Sequence, residues 1–83
     1  MWVVLPVHKD IKVYIKKHEL EQKFAKQVDL LERSIKHPSL NIELMEPKHL
    51  RLFSFRIDRK YRATFIFRSG NLIEILDANN HYR

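Results

Sequence analysis

The chain has 83 residues, with sixteen Lys and Arg against ten Asp and Glu and no cysteine. A domain of that size buries only ~60–65% of its unfolded surface, and without thiols it has neither a disulfide framework nor a thiolate metal site. The formal charge of +6 favours a polyanionic partner, either nucleic acid or an acidic protein. One domain over residues 1–83 is expected. No apolar run reaches the ~20 residues of a membrane span, and the first residues lack the pattern of a signal peptide, so a cytoplasmic protein with no membrane partner is expected.

Trp2-Val3-Val4-Leu5 is a short apolar run ended by Pro6, which suits a first strand. From His8 to His18, Ile11, Val13 and Ile15 alternate as in a strand, while Ile11, Tyr14 and Ile15 also make a helical set. No turn residues separate this piece from the helix behind it, which favours a helix here too. Glu19 to Lys36 carries Leu20, Phe24, Val28, Leu31 and Ile35 on one stripe, with the charges off it, and reads as a helix packed on a sheet. His37-Pro38-Ser39 ends it, because proline cannot continue a helix. Leu40 to Pro47 is irregular or a short edge strand.

Leu50 to Phe67 reads as a strand, a turn at Asp58-Arg59-Lys60 and a second strand, rich in aromatic and β-branched residues. Ser69-Gly70-Asn71 is a turn in which the only glycine supplies positive φ. Leu72 to Leu76 is a final strand, and the chain closes on Asp77-Ala78-Asn79-Asn80-His81-Tyr82-Arg83. This order predicts an α+β domain, with a mainly antiparallel sheet and the helices on one face.

Two arginines stand inside the hairpin. Arg56 and Arg62 sit in segments otherwise fit for burial, and a guanidinium there must face a groove, a partner or a carboxylate. Strands that pair across the turn let the two share one face. If the last strand pairs antiparallel with Tyr61–Phe67, His81 comes near Arg62. No Gly-rich phosphate loop or nucleophile elbow is present. His8, His18, His37, His49 and His81 never approach metal-ligand spacing with a carboxylate, so neither metal nor cofactor is expected.

These residue types suit one reaction that needs no metal. RNA carries its own nucleophile, the 2′-hydroxyl. Cleavage then needs a base for its proton, a cation for the charge growing on phosphorus, and an acid for the departing 5′-oxygen. Arginine fits phosphate through its planar fork, and histidine exchanges protons near neutrality. The plainer alternatives stay open. Arg56 or Arg62 can simply pair with Glu43, Glu46 or Glu74, His81 can simply be exposed, and Tyr82 can pack on the sheet edge. The residues alone lead to a small basic α+β domain suited to RNA.

Three pieces in order carry a resemblance. His37-Pro38-Ser39-Leu40 follows a long amphipathic helix, Phe53-Ser54-Phe55-Arg56-Ile57-Asp58-Arg59-Lys60-Tyr61-Arg62 precedes an apolar strand, and the last strand ends in Asn80-His81-Tyr82-Arg83. The whole resembles the RelE/ParE toxins of type II toxin–antitoxin systems, especially the branch of YafQ-like mRNA interferases. The resemblance implies a RelE-like βααβββ(β) domain and metal-independent endoribonuclease activity on ribosome-bound mRNA, inhibiting translation. It also implies a cognate antitoxin, in a hetero-oligomer, whose acidic segment covers the basic groove.

Residue by residue, Arg62 takes the place of the arginine that stabilises the scissile phosphate. His81 takes that of the general acid, and Tyr82 that of the aromatic on base or phosphate. Glu43 stands where YafQ-like relatives often carry a histidine, so Glu43 or Glu46 is the candidate base. Lys48, His49, Arg51, Arg56, Arg59, Lys60, Arg68 and Arg83 are the candidate RNA contacts. Lys60 replaces a common glycine, and Asn79-Asn80 replaces the usual pair before the terminal histidine. The rival functions are a ParE-like gyrase poison and a non-catalytic basic binding module.

Overall fold

The computed structural model describes residues 1–80, so His81, Tyr82 and Arg83 lie outside the described residues. Strand β1 (Val3–Val4) leads into helix α1 (Lys9–Lys17), helix α2 (Glu21–Arg33), β2 (Glu43–Leu44), β3 (Phe53–Arg56), β4 (Arg62–Arg68) and β5 (Leu72–Asn79). The sheet order is β1-β5-β4-β3-β2. Every neighbouring pair is antiparallel except β1 with β5, where Val3 and Val4 run parallel to Leu72 and Ile73. The expected α+β arrangement is observed, with two helices on one face of a mainly antiparallel sheet.

Local chemistry explains where the helices stop. The His8 side chain caps α1 by accepting from the Asp10 amide at 3.1 Å. Its other end closes through Leu20 N–H to the Ile15 carbonyl and Glu19 N–H to the Lys16 carbonyl, with Glu19 at φ 55° in the left-handed region. α2 begins at Glu21 and ends at Arg33, inside the Glu19–Lys36 span expected from the stripe. Pro38 is not what stops it. Ser34 already leaves helical geometry at φ −149°, and Pro38 instead opens a separate 3-10 turn, Pro38–Leu40, capped by the His37 ring.

The hairpin is shorter than Leu50–Phe67 at its start, because Lys48–Leu50 forms a 3-10 turn that closes with Arg51 left-handed at φ 54°. At its tip, Asp58 Oδ1 accepts from the Lys60 and Tyr61 amides at 2.8 and 2.9 Å. Gly70 and Asn71, at φ 81° and 61°, turn β4 into β5. The last strand does not stop at Leu76 but runs to Asn79, with a register shift at Thr64/Phe65.

Side chains alternate across the sheet, so its two faces have different fates. Phe55, Ala63, Phe65, Ile73, Ile75 and Ala78 pack against Ile11, Ile15, Leu20, Leu31 and Leu40 to form the core. Gln27 is buried to 4% within this apolar layer. Its Nε2 donates to the Arg56 carbonyl at 2.7 Å and to the Ser39 carbonyl at 3.1 Å, stapling α2 to β3 and to the 3-10 turn.

Candidate functional site

The face of the sheet turned away from the helices is polar, and the register assigns its residues. Directly opposed residues of antiparallel strands share a face. Glu43, Ser54, Thr64 and Asp77 therefore make one row across β2, β3, β4 and β5, and Arg56, Arg62 and Asn79 make the next. The hairpin thus brings Arg56 and Arg62 opposite each other, as expected from the sequence.

Of the surroundings the sequence left open for Arg62, a groove, a partner or a carboxylate, it meets one carboxylate together with neutral oxygens. The residue is buried to 7% exposure. Its Nε donates to Ser54 Oγ at 3.1 Å, and its Nη2 reaches Ser54 Oγ at 2.9 Å, the Ser54 carbonyl at 3.3 Å and the Asn41 carbonyl at 2.6 Å. Asn41 is left-handed, at φ 44°, at the end of the Pro38–Leu40 turn. A buried guanidinium needs many acceptors to replace its water, and these neutral oxygens serve.

The carboxylate beside it is Glu43, with Oε1 at 3.6 Å from Nη2 and a side chain 57% exposed. That separation is an ion pair rather than a hydrogen bond, so Glu43 is the loosest of these partners. Glu46 is three residues further along the chain, past the end of β2 and beyond Met45 N–H to the Leu52 carbonyl, on the side of Glu43 away from the Arg56–Arg62 row. Of the two acidic candidates, the fold brings only Glu43 to Arg62.

Tyr61, next to Arg62, is tied to α1. Its hydroxyl lies 3.1 Å from His18 Nδ1, and the Tyr14 and His18 rings meet at 4.3 Å beside it, inclined at 48°. Burial pushes the Tyr14 phenol above its ordinary value, and Tyr61 and the negative Asp77 add to the rise. In the turn, burial alone raises the Asp58 carboxyl. The Lys60 and Tyr61 amides and the Lys23 ammonium at 3.3 Å outweigh it and hold the group below its usual range.

The cationic candidates among the described residues fall in three places. Arg56 faces Arg62 across the hairpin, and Arg59 and Lys60 are exposed in the adjoining turn. Lys48, His49 and Arg51 are exposed before β3, with the Arg51 guanidinium 5.3 Å from the centre of the Phe53 ring. Arg68 is at the far end of β4, roughly 20 Å from Arg62, and pairs with Glu74 at 2.7 Å. The fold does not bring Arg68 to Arg62. Among the described residues no group of three His, Asp or Glu gathers as a metal site, and no helix is long and apolar enough to cross a membrane.

Sequence reasoning missed Ser54, Asn41 and Gln27. Ser54 had a signal, as a small polar residue two positions before Arg56 in an otherwise aromatic strand. Gln27 had one as well, as the polar residue three after Phe24 and four before Leu31, on the apolar stripe. Asn41 acts through its backbone carbonyl, which leaves no mark in the sequence.

No protein-family model and no curated protein matches the sequence. Solved structures do match it in fold. A YoeB/ParE toxin from Agrobacterium tumefaciens superposes with TM-score 0.70 at 16% identity, over 99% of this chain and 100% of that one. The YoeB dimer from Staphylococcus aureus gives 0.59 at 22%, over 96% and 94%. The heterotetrameric YoeB–YefM toxin–antitoxin complex from the same organism gives 0.59 at 23%, over 99% of this chain and 97% of the matched one. Nothing in these names supports the YafQ-like branch. At such identities the likeness is one of architecture, and over nearly its whole length the chain has the fold of the YoeB/ParE toxins.

Proposed function

We propose that this chain is the toxin of a type II toxin–antitoxin pair, an endoribonuclease that cleaves ribosome-bound mRNA without a metal and so stops translation. The observation that carries the reading is the pairing of Arg62 with Glu43 on the polar face of a toxin-type sheet. A carboxylate and a guanidinium side by side are two of the three groups that cleavage through a 2′-hydroxyl requires. The third, His81, stands two residues after Asn79, the register partner of Arg62.

In this mechanism Glu43 takes the proton of the 2′-hydroxyl, whose oxygen attacks phosphorus. Arg62 stabilises the charge on the non-bridging oxygens. His81 gives a proton to the 5′-oxygen as the P–O5′ bond breaks, leaving a 2′,3′-cyclic phosphate and a free 5′-hydroxyl. Tyr82 stacks on a base or contacts phosphate. Arg56, opposite Arg62, and Arg59 and Lys60 in the adjoining turn hold the backbone, with Arg83 contributing from the tail.

The ion pair with Glu43 gives the cycle an order. With Arg62 held by the neutral oxygens of Ser54 and Asn41, an incoming phosphate displaces the exposed carboxylate rather than those oxygens. Displacement releases Glu43 to act as base at the moment the substrate arrives. The partner that silences the toxin is an antitoxin with an acidic segment over the cationic face, consistent with a fold shared with the YoeB–YefM complex.

The test is to add the purified protein to a purified translation system and map mRNA 5′ ends. New ends inside ribosome-covered codons, reduced about 100-fold or more by Arg62→Ala or His81→Ala, are the expected result. Intact mRNA with inhibited gyrase would overturn this reading for a ParE-like one. Intact mRNA and unaffected gyrase would leave a non-catalytic basic module.

A further inference from the structure

We propose that Ser54 is a positioning residue that fixes the guanidinium of Arg62 for phosphate. The inference rests on the reading of Arg62 as the phosphate-binding cation and adds the device that aims it.

Ser54 is a hydroxyl in a strand whose neighbours are Phe53 and Phe55, and it is buried to 6%. A serine there contributes little apolar packing, and its hydroxyl must find a partner. It finds Arg62 twice, with Nε at 3.1 Å and Nη2 at 2.9 Å on the same oxygen. Two donors of one rigid fork converging on one acceptor define both the position and the tilt of the guanidinium plane.

The Asn41 carbonyl at 2.6 Å takes the same Nη2, so this edge of the fork is held by neutral oxygens. A carboxylate in place of Ser54 would attract the guanidinium as strongly as a phosphate does and compete with substrate. A hydroxyl orients it without cancelling its charge. The register explains the reach. Ser54 faces Thr64 and Arg56 faces Arg62, so Ser54 lies one row from Arg62 on the same sheet face. An alanine at 54 keeps the strand and lets the cation tilt towards Glu43. A misplacement of about 1 Å at such a group costs on the order of 100-fold in rate.

The experiment measures single-turnover cleavage of mRNA on stalled ribosomes, with thermal unfolding of each variant as the check on folding. Ser54→Ala is expected to lower kcat about 10- to 100-fold while KM changes less than about threefold, and Ser54→Thr, which keeps the hydroxyl, restores most of the rate. If Ser54 acts through Arg62, Ser54→Ala added to Arg62→Ala costs nothing further. A second measurement follows Arg62 Nε–H by side-chain ¹⁵N NMR. Its exchange with water is expected to accelerate at least about tenfold in Ser54→Ala, as a buried hydrogen bond opens.

Cleavage abolished by Arg62→Ala but unaffected by folded Ser54→Ala overturns the positioning role and leaves the nuclease reading standing. An additive loss in the double variant overturns it too. Cleavage that survives Arg62→Ala, or a wild-type protein that cleaves no RNA, overturns the role of Arg62 and with it this proposal.

Discussion

Replacing Gln27 by Met tests the staple that holds the site's strand to the helical layer. Methionine has nearly the volume of glutamine, so the change removes two donors without opening a cavity. The Arg56 and Ser39 carbonyls, at 2.7 and 3.1 Å from Nε2, each lose a buried partner. Each loss costs about 1–2 kcal/mol, giving roughly 2–4 kcal/mol in all. A domain of this size has only about 4–12 kcal/mol of stability, so the effect is large. With a urea m-value of about 1 kcal/mol/M, the midpoint falls by roughly 2–4 M. Equilibrium urea unfolding followed by far-UV circular dichroism reads it. A midpoint lowered by less than about 0.5 M at unchanged slope would refute the reasoning, because the carbonyls would then be satisfied without Gln27.

Glu19→Gly removes a side chain from a left-handed position at φ 55°. It is expected to raise stability by about 0.5–1 kcal/mol, or roughly 3–6 °C in a thermal melt; an unchanged or lower Tm counts against it. Asp58 has a folded pKa below its unfolded one, so its contribution is complete above the unfolded value near ~3.9 and is lost as pH falls through the folded value. Asp58→Ala should therefore destabilise by about 1–2 kcal/mol at pH 6, and the gap from wild type should close towards pH 2. A gap that does not depend on pH would show that the charge contributes nothing. Glu43→Gln keeps the shape of the side chain but not its basicity. Cleavage should fall about 100-fold or more while Tm changes little, since an exposed carboxylate at 3.6 Å contributes at most about 1 kcal/mol. Full activity in this variant would remove Glu43 from the mechanism.

The parts of this fold legible in the sequence were those written in short-range periodicity. The Leu20–Phe24–Val28–Leu31 stripe announced α2, and the alternation on either side of Asp58 announced the hairpin and, through its register, the shared face of Arg56 and Arg62. The extent of β5 was not legible, because Asp77 and Asn79 look like strand breakers. They are tolerated because they fall on the polar face, opposite Thr64 and Arg62. The burial of Arg62 was hidden for a different reason. It depends on a serine of the neighbouring strand and on a carbonyl turned inward by a left-handed asparagine, and neither contact follows from spacing along the chain. Which of Glu43 and Glu46 lies beside Arg62 was likewise hidden, because it depends on how β2 lies against β3.

The parallel contact of Val3 and Val4 with Leu72 and Ile73 joins positions separated by nearly the full length of the chain. During synthesis Val3 and Val4 therefore wait without their sheet neighbour until Leu72 and Ile73 have been made. Those same residues begin the strand beside Arg62, so the face that carries it depends on contacts of long sequence separation. Until that strand is in place, Arg62 lacks its register partner Asn79.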